Sequence, residues 1–133
     1  MLKEVLRENP RALIVDDNDE FRNVISRQLA FLGFEVLGTA DASEFLSELM
    51  SSAQPFDLAV IDIQLPGLQG DQIISWVLSS DDPKIKAMPI LIVTGLLQER
   101  IEIELELLSK IEFLEKPYEL QQLETAIKTL LKI

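Results

Sequence analysis

The sequence predicts an α/β fold, a five-stranded parallel sheet with helices on both faces. Three observations carry that expectation. Residues 12–15, 58–61 and 89–93 are continuous apolar runs rather than alternating ones, as strands buried on both faces are. Segments with apolar residues at helical spacing stand between such runs. The chain has 133 residues, 47% of them hydrophobic, which suits one packed core and is too apolar for a disordered chain.

Taken in order, residues 11–17 are an apolar strand that ends in Asp16 and Asp17. Asn18 or Asp19 can cap the helix that follows. In it Phe21, Val24, Ile25, Leu29 and Leu32 fall at helical spacing, and Gly33 closes it. Residues 34–39 make a second strand, and 42–50 a second helix with Phe45, Leu46 and Leu49 on one face. After Pro55, residues 56–62 form a third strand, again ending in an acid, Asp62. Residues 65–70 read as a turn, 71–78 as a helix, and 79–88, with Pro83, as a polar loop. Residues 89–94 are a fourth strand ending in Thr94. A helix follows, then a fifth strand at 111–115. Leu120, Leu123, Ile127, Leu130 and Leu131 mark a final amphipathic helix. Residues 1–10 are expected to be an N-terminal extension and 11–133 the domain. With right-handed crossovers, five β-α units fit the flavodoxin-like (βα)5 sandwich of sheet order 2-1-3-4-5. Function in such sheets gathers at the carboxyl ends of the strands, near the switch between strands one and three.

The composition excludes several chemistries. Cysteine is absent, which removes disulfides, thiolate metal sites and thiol nucleophiles. Histidine is absent too, so imidazole can serve neither as acid–base group nor as metal ligand. The chain therefore cannot be the histidine partner of a phosphorelay. A net charge of −11 without a Lys/Arg cluster opposes direct nucleic-acid binding. No apolar run approaches the roughly 18 residues of a membrane span. Residues 1–10 lack a signal-peptide stretch. No membrane partner is expected, and the cytoplasm is the expected location.

The strand ends carry the chemistry. Strand one ends in Asp16 and Asp17, strand three in Asp62 and strand four in Thr94, while Lys116 and Pro117 follow strand five. Singly, each is also explained as a cap or a strand-end polar group. Together they converge on one edge of an otherwise apolar sheet. Three neighbouring carboxylates raise one another's pKa, a conflict that a hard divalent cation removes. Mg²⁺ takes oxygen ligands and needs only a few carboxylates. A lysine and a hydroxyl opposite complete a site for a phosphoryl group, with one Asp as nucleophile.

The segments Ile14-Val-Asp-Asp17, Val60-Ile-Asp-Ile-Gln-Leu-Pro-Gly-Leu-Gln-Gly70, Ile92-Val-Thr-Gly95 and Phe113-Leu-Glu-Lys-Pro117 resemble the receiver domains of two-component response regulators, chemotaxis regulators among them. The resemblance runs from Arg11 to the C-terminus, with every signature position in order. It implies Asp62 as phosphoacceptor, and Mg²⁺ held by Asp16, Asp17, Asp62 and the backbone carbonyl of Gln64. It implies that Thr94 donates to the phosphoryl oxygens, that Lys116 pairs with them, and that Phe113 is the switch aromatic. Before Pro117 the family often has a cis peptide bond. The implied donor is a sensor histidine kinase or a phosphotransfer protein. The protein would be no enzyme, but a phosphoacceptor that assists its own phosphorylation and dephosphorylation.

Two stretches depart from the family pattern. The loop at 79–88 is slightly long, and Ser109-Lys110 replaces the usual small pair before strand five. Residues 101–108 alternate like a strand where the fold wants a helix. As a helix, Leu97, Ile101, Leu105 and Leu108 face the core, and Leu96, Ile103 and Leu107 face the opposite way. Either the helix is rotated and buries both sets, or the outer set meets a homodimer mate or output protein across the fourth helix, fifth strand and fifth helix. Two other functions fit the sequence less well. A Mg²⁺-dependent aspartyl-phosphate phosphatase or phosphotransferase of the haloacid-dehalogenase kind would carry a second Asp where Gln64 stands. An FMN binder would carry a Ser/Thr/Gly-rich phosphate loop where Asp16 to Glu20 is acidic.

Overall fold

Strand formation follows the apolar runs. A computed structural model of the protein describes residues 2–62, 70–95 and 110–133. The strands are β1 (Arg11–Val15), β2 (Glu35–Thr39), β3 (Leu58–Asp62), β4 (Ile90–Thr94) and β5 (Ile111–Glu115). All pairings are parallel, in the order β2-β1-β3-β4-β5. The expected flavodoxin-like topology is therefore present.

Six helices lie among the described residues: α1 (Leu2–Val5), α2 (Asp19–Leu32), α3 (Ala42–Ser51), α4 (Gly70–Leu78), α5 (Pro83–Lys86) and α6 (Leu120–Leu131). Asn18 caps α2 by accepting from the Phe21 N–H, and Gly33 ends it at φ 114°, a conformation that favours glycine. Asp41 caps α3 in the same way. The 79–88 segment corrects the sequence reading, because α5 interrupts the expected loop. Asp82 is its N-cap and Pro83 its first residue, so a short turn of helix forms where the sequence is polar.

The period of two along each strand divides the core. Leu13, Val15, Ala59, Ile61, Ile90 and Ile92 pack with α3, α4 and α5 on one face. Ala12, Ile14, Leu58, Val60, Leu91 and Val93 pack with α2 and α6 on the other. Every residue of β3 is buried, as its central place demands. β2, at the edge, leaves Glu35, Leu37 and Gly38 exposed. Asp62 continues the parity of Leu58 and Val60, which directs it toward the α2 and α6 side. The 65–70 turn up to residue 69, and the fourth helix with Leu96, Leu97, Ile101, Ile103, Leu105, Leu107 and Leu108, lie outside the described residues.

The N-terminal residues touch the body of the domain. Leu2 is fully buried within the α2/α6 side of the core, and its N–H donates to Glu124. Arg7 forms a two-pronged ion pair with Asp57, at 2.6 and 2.7 Å. Asp57 also accepts from the Arg11 N–H at 2.7 Å. Leu2→Ala is expected to lower unfolding stability by about 2 kcal/mol in a urea titration, at the low end for buried leucines because the segment is terminal. A change below about 0.5 kcal/mol, typical of surface positions, would show that these contacts contribute nothing.

Candidate functional site

The register brings the acids together. Val15 pairs with Ile61, so Asp16, one residue on, stands level with Asp62 on the adjacent strand. Neighbouring strands lie about 4.8 Å apart, which forces two carboxylates at one level into contact range. Asp17 follows on the solvent side. Carboxylate oxygens of Asp16, Asp17 and Asp62 all lie within 4.8 Å of one another. Asp16 and Asp62 are buried, whereas Asp17 is exposed. This is the point where the sheet order reverses, between β1 and β3.

Lys116 supplies the opposite charge. Its Nζ is 3.6 Å from Asp62 Oδ2 and 3.9 Å from Asp16 Oδ2. The Lys116–Pro117 peptide is cis, as the resemblance led one to expect. Val93 pairs with Asp62, so Thr94, one residue on, ends β4 just past the level of Asp62. Phe113 sits on β5, half-buried against the α3–α5 side of the core. Gln64 lies outside the described residues.

The β1–α2 turn is held tightly. Asp16 Oδ1 accepts from the Asn18 N–H at 2.9 Å. Arg22 donates to the Asp16 carbonyl at 2.8 Å and pairs with Asp19. The Arg22 chain runs over Gly38, where a Cβ would come to 3.3 Å from Arg22 Cδ. Two aromatic residues at the site were not singled out as functional by the sequence. Lys116 Nζ lies 4.0 Å from the centroid of the Phe21 ring, and Phe21 meets Tyr118 edge-on at 6.1 Å. Helical spacing marked Phe21 as a core residue, and no signal in the sequence separates that role from a seat at the strand ends.

Burial pushes the Asp16 carboxyl above the usual carboxylate range. The Asn18 N–H pulls it down, Asp62 pushes it up, Lys116 pulls it down and Asp17 pushes it up again. Burial, with a smaller push from Asp16, also raises the Tyr118 hydroxyl, which stays a neutral donor. The donor set is all hard oxygen, closely spaced and short of positive charge, and so suits a divalent cation such as Mg²⁺. Because the folded Asp16 pKa is raised, this group favours the folded state below its unfolded pKa. That contribution is lost as pH rises through the folded value. Asp16→Asn keeps an oxygen for the Asn18 N–H and removes the buried charge. In metal-free buffer at neutral pH it is expected to stabilise the protein, as read from the melting temperature, with the gain narrowing as the pH falls. Loss of stability at neutral pH would mean that the Lys116 contact outweighs burial and repulsion.

Comparison with known proteins agrees with this geometry. A family model described as the response regulator receiver domain matches residues 12–128. The transcriptional regulatory protein FixJ of Bradyrhizobium diazoefficiens is 30% identical over 119 residues, covering 90% of this chain and 55% of FixJ. The chain thus spans about half the length of that relative. Chemotaxis protein CheY-3 of Vibrio cholerae is 32% identical over 95 residues, covering 71% of this chain and 70% of CheY-3. A receiver-domain protein of Clostridium thermocellum, known from its crystal structure, is similar with a TM-score of 0.76 at 25% identity, covering 92% of this chain and 94% of that one. Among the described residues no helix is long and apolar enough to cross a membrane.

Proposed function

The chain belongs to the response regulator receiver domain family, and from that premise we propose that it is switched by transfer of a phosphoryl group to Asp62. The observation that carries this reading is the place of Asp62. It ends the central strand β3, buried, with Lys116 Nζ at 3.6 Å and with Asp16 and Asp17 beside it. The receiver domain spans residues 11–133, and 1–10 are an N-terminal extension.

The donor is a phosphohistidine of a sensor histidine kinase or a phosphotransfer protein, as in the family, and it lies outside these 133 residues, which hold no histidine. The Asp62 carboxylate oxygen forms a bond to phosphorus as the bond from phosphorus to the donor's imidazole nitrogen breaks. The electron pair leaves with that nitrogen. Asp16, Asp17, Asp62 and the Gln64 carbonyl would hold Mg²⁺, which supplies charge neutralisation on the phosphoryl oxygens. Lys116 pairs with the same oxygens, and the Thr94 hydroxyl donates to them. The product is a stored signal, so the chain is a phosphoacceptor rather than a turnover enzyme. A phosphatase of the haloacid-dehalogenase kind is disfavoured by Gln64, where such enzymes place their second Asp.

The added charge biases a pre-existing equilibrium. Thr94 and Phe113 shift toward the phosphoryl group, and the face that includes β5 and α6 changes its affinity for a second copy or an output protein. Such chemistry fits a cytoplasmic protein.

Incubation with acetyl phosphate and Mg²⁺ is expected to add one phosphoryl mass to the wild type, lost on mild hydroxylamine treatment. Asp62→Asn is expected to abolish the mass shift while still unfolding cooperatively. A hydroxylamine-sensitive shift of equal yield in that variant would overturn the assignment.

A further inference from the structure

Lys116 has a neighbour besides the two carboxylates. Its Nζ stands 4.0 Å from the centroid of the Phe21 ring, while Asp62 Oδ2 and Asp16 Oδ2 lie at 3.6 and 3.9 Å. Both oxygens are beyond hydrogen-bonding distance, so they attract the ammonium without fixing its direction. Lysine carries four rotatable bonds, and this side chain is 27% exposed, free enough to swing outward. The face of an aromatic ring supplies what the carboxylates lack, a directional seat for a cation.

The ring is itself braced. Tyr118 meets Phe21 edge-on, with an interplanar angle of 85°. The Tyr118 hydroxyl donates to Gln28 Oε1 at 2.8 Å, which ties the pair to the middle of α2. Phe21 sits in the first turn of α2, and Lys116 and Tyr118 in the link from β5 to α6. The contact therefore joins two segments about 95 residues apart, on the side of the sheet toward which Asp62 is directed.

We propose that Phe21 is a positioning residue for phosphorylation: its ring face, braced by Tyr118 and Gln28, holds the Lys116 ammonium where the phosphoryl group on Asp62 will need it. The proposal rests on the reading of Asp62 as phosphoacceptor and Lys116 as its partner. A seat formed in advance spares the transition state the ordering of a flexible cation. A leucine at position 21 would keep an apolar side chain there but offer no electron-rich face. That distinction separates a seat from ordinary packing.

The test uses the full chain in two forms of readout. Phe21→Leu removes the ring face, and Phe21→Tyr restores it. Replacing Phe21 by phenylalanines with progressively more ring fluorines weakens the face while leaving shape and packing nearly unchanged. The Lys116 ε-methylene protons are expected upfield in the wild type and in Phe21→Tyr, and at their ordinary position in Phe21→Leu. With Mg²⁺, the rate of phosphorylation by acetyl phosphate is expected to fall about three- to tenfold in Phe21→Leu, the range of a partly desolvated cation–ring contact. It should fall stepwise along the fluorinated series at constant melting temperature and recover in Phe21→Tyr. The fluorinated series stands if Phe21→Leu fails to fold. A wild type that phosphorylates normally while the series stays flat overturns the role of Phe21 and leaves Asp62 untouched. A wild type that takes no phosphoryl group overturns the Asp62 reading and this proposal with it.

Discussion

Repulsion among Asp16, Asp17 and Asp62 is the constraint around which this end of the molecule is arranged. A parallel sheet of order β2-β1-β3-β4-β5 places the ends of β1 and β3 side by side, and the Val15–Ile61 register sets Asp16 and Asp62 level. Two of the three carboxylates are buried, and burial, followed by the charges of Asp62 and Asp17, raises the Asp16 carboxyl. One lysine cannot neutralise three acids. Each local feature answers part of that conflict. The Asn18 N–H and Lys116 pull Asp16 back toward ionisation, and Arg22 holds the backbone of the same turn through the Asp16 carbonyl. Such a cluster costs folding stability, and perturbed carboxyls of this kind gather at functional sites more often than elsewhere.

Much of this was legible in the sequence because the physics is local. Residues 11–15 and 58–62 are strands buried on both faces, so they must be apolar without alternation, and the residue that ends such a run is visible at once. The acids at those ends, the Thr at the end of the fourth strand and the Lys-Pro after the fifth then follow from topology alone. One cap was readable as a choice between Asn18 and Asp19, and Asn18 is the one that caps α2.

What the sequence hid depends on tertiary placement. α5 lies within a polar stretch whose only helical signal is Asp82 followed by Pro83. Leu2 reads as one apolar residue in a charged segment, and only the packed body shows it buried. Phe21 has the spacing of a core residue, and it does border the α2/α6 core. Its second contact, with Lys116, needs the β5–α6 link to return across the sheet, which periodicity cannot report. Tyr118 is likewise a partner of Phe21 and Gln28 rather than a lone aromatic near a helix start.

If Asp16, Asp17 and Asp62 together hold a divalent cation, thermal unfolding must respond to Mg²⁺ concentration. Binding to the folded state alone should raise stability as RT ln(1 + [Mg²⁺]/Kd), about 1–3 kcal/mol at saturation. The wild-type melting temperature is expected to climb through the millimolar range and level off, and Asp17→Ala to lose most of that rise. A wild-type curve unmoved by Mg²⁺, or an equal rise in Asp17→Ala, would contradict the account.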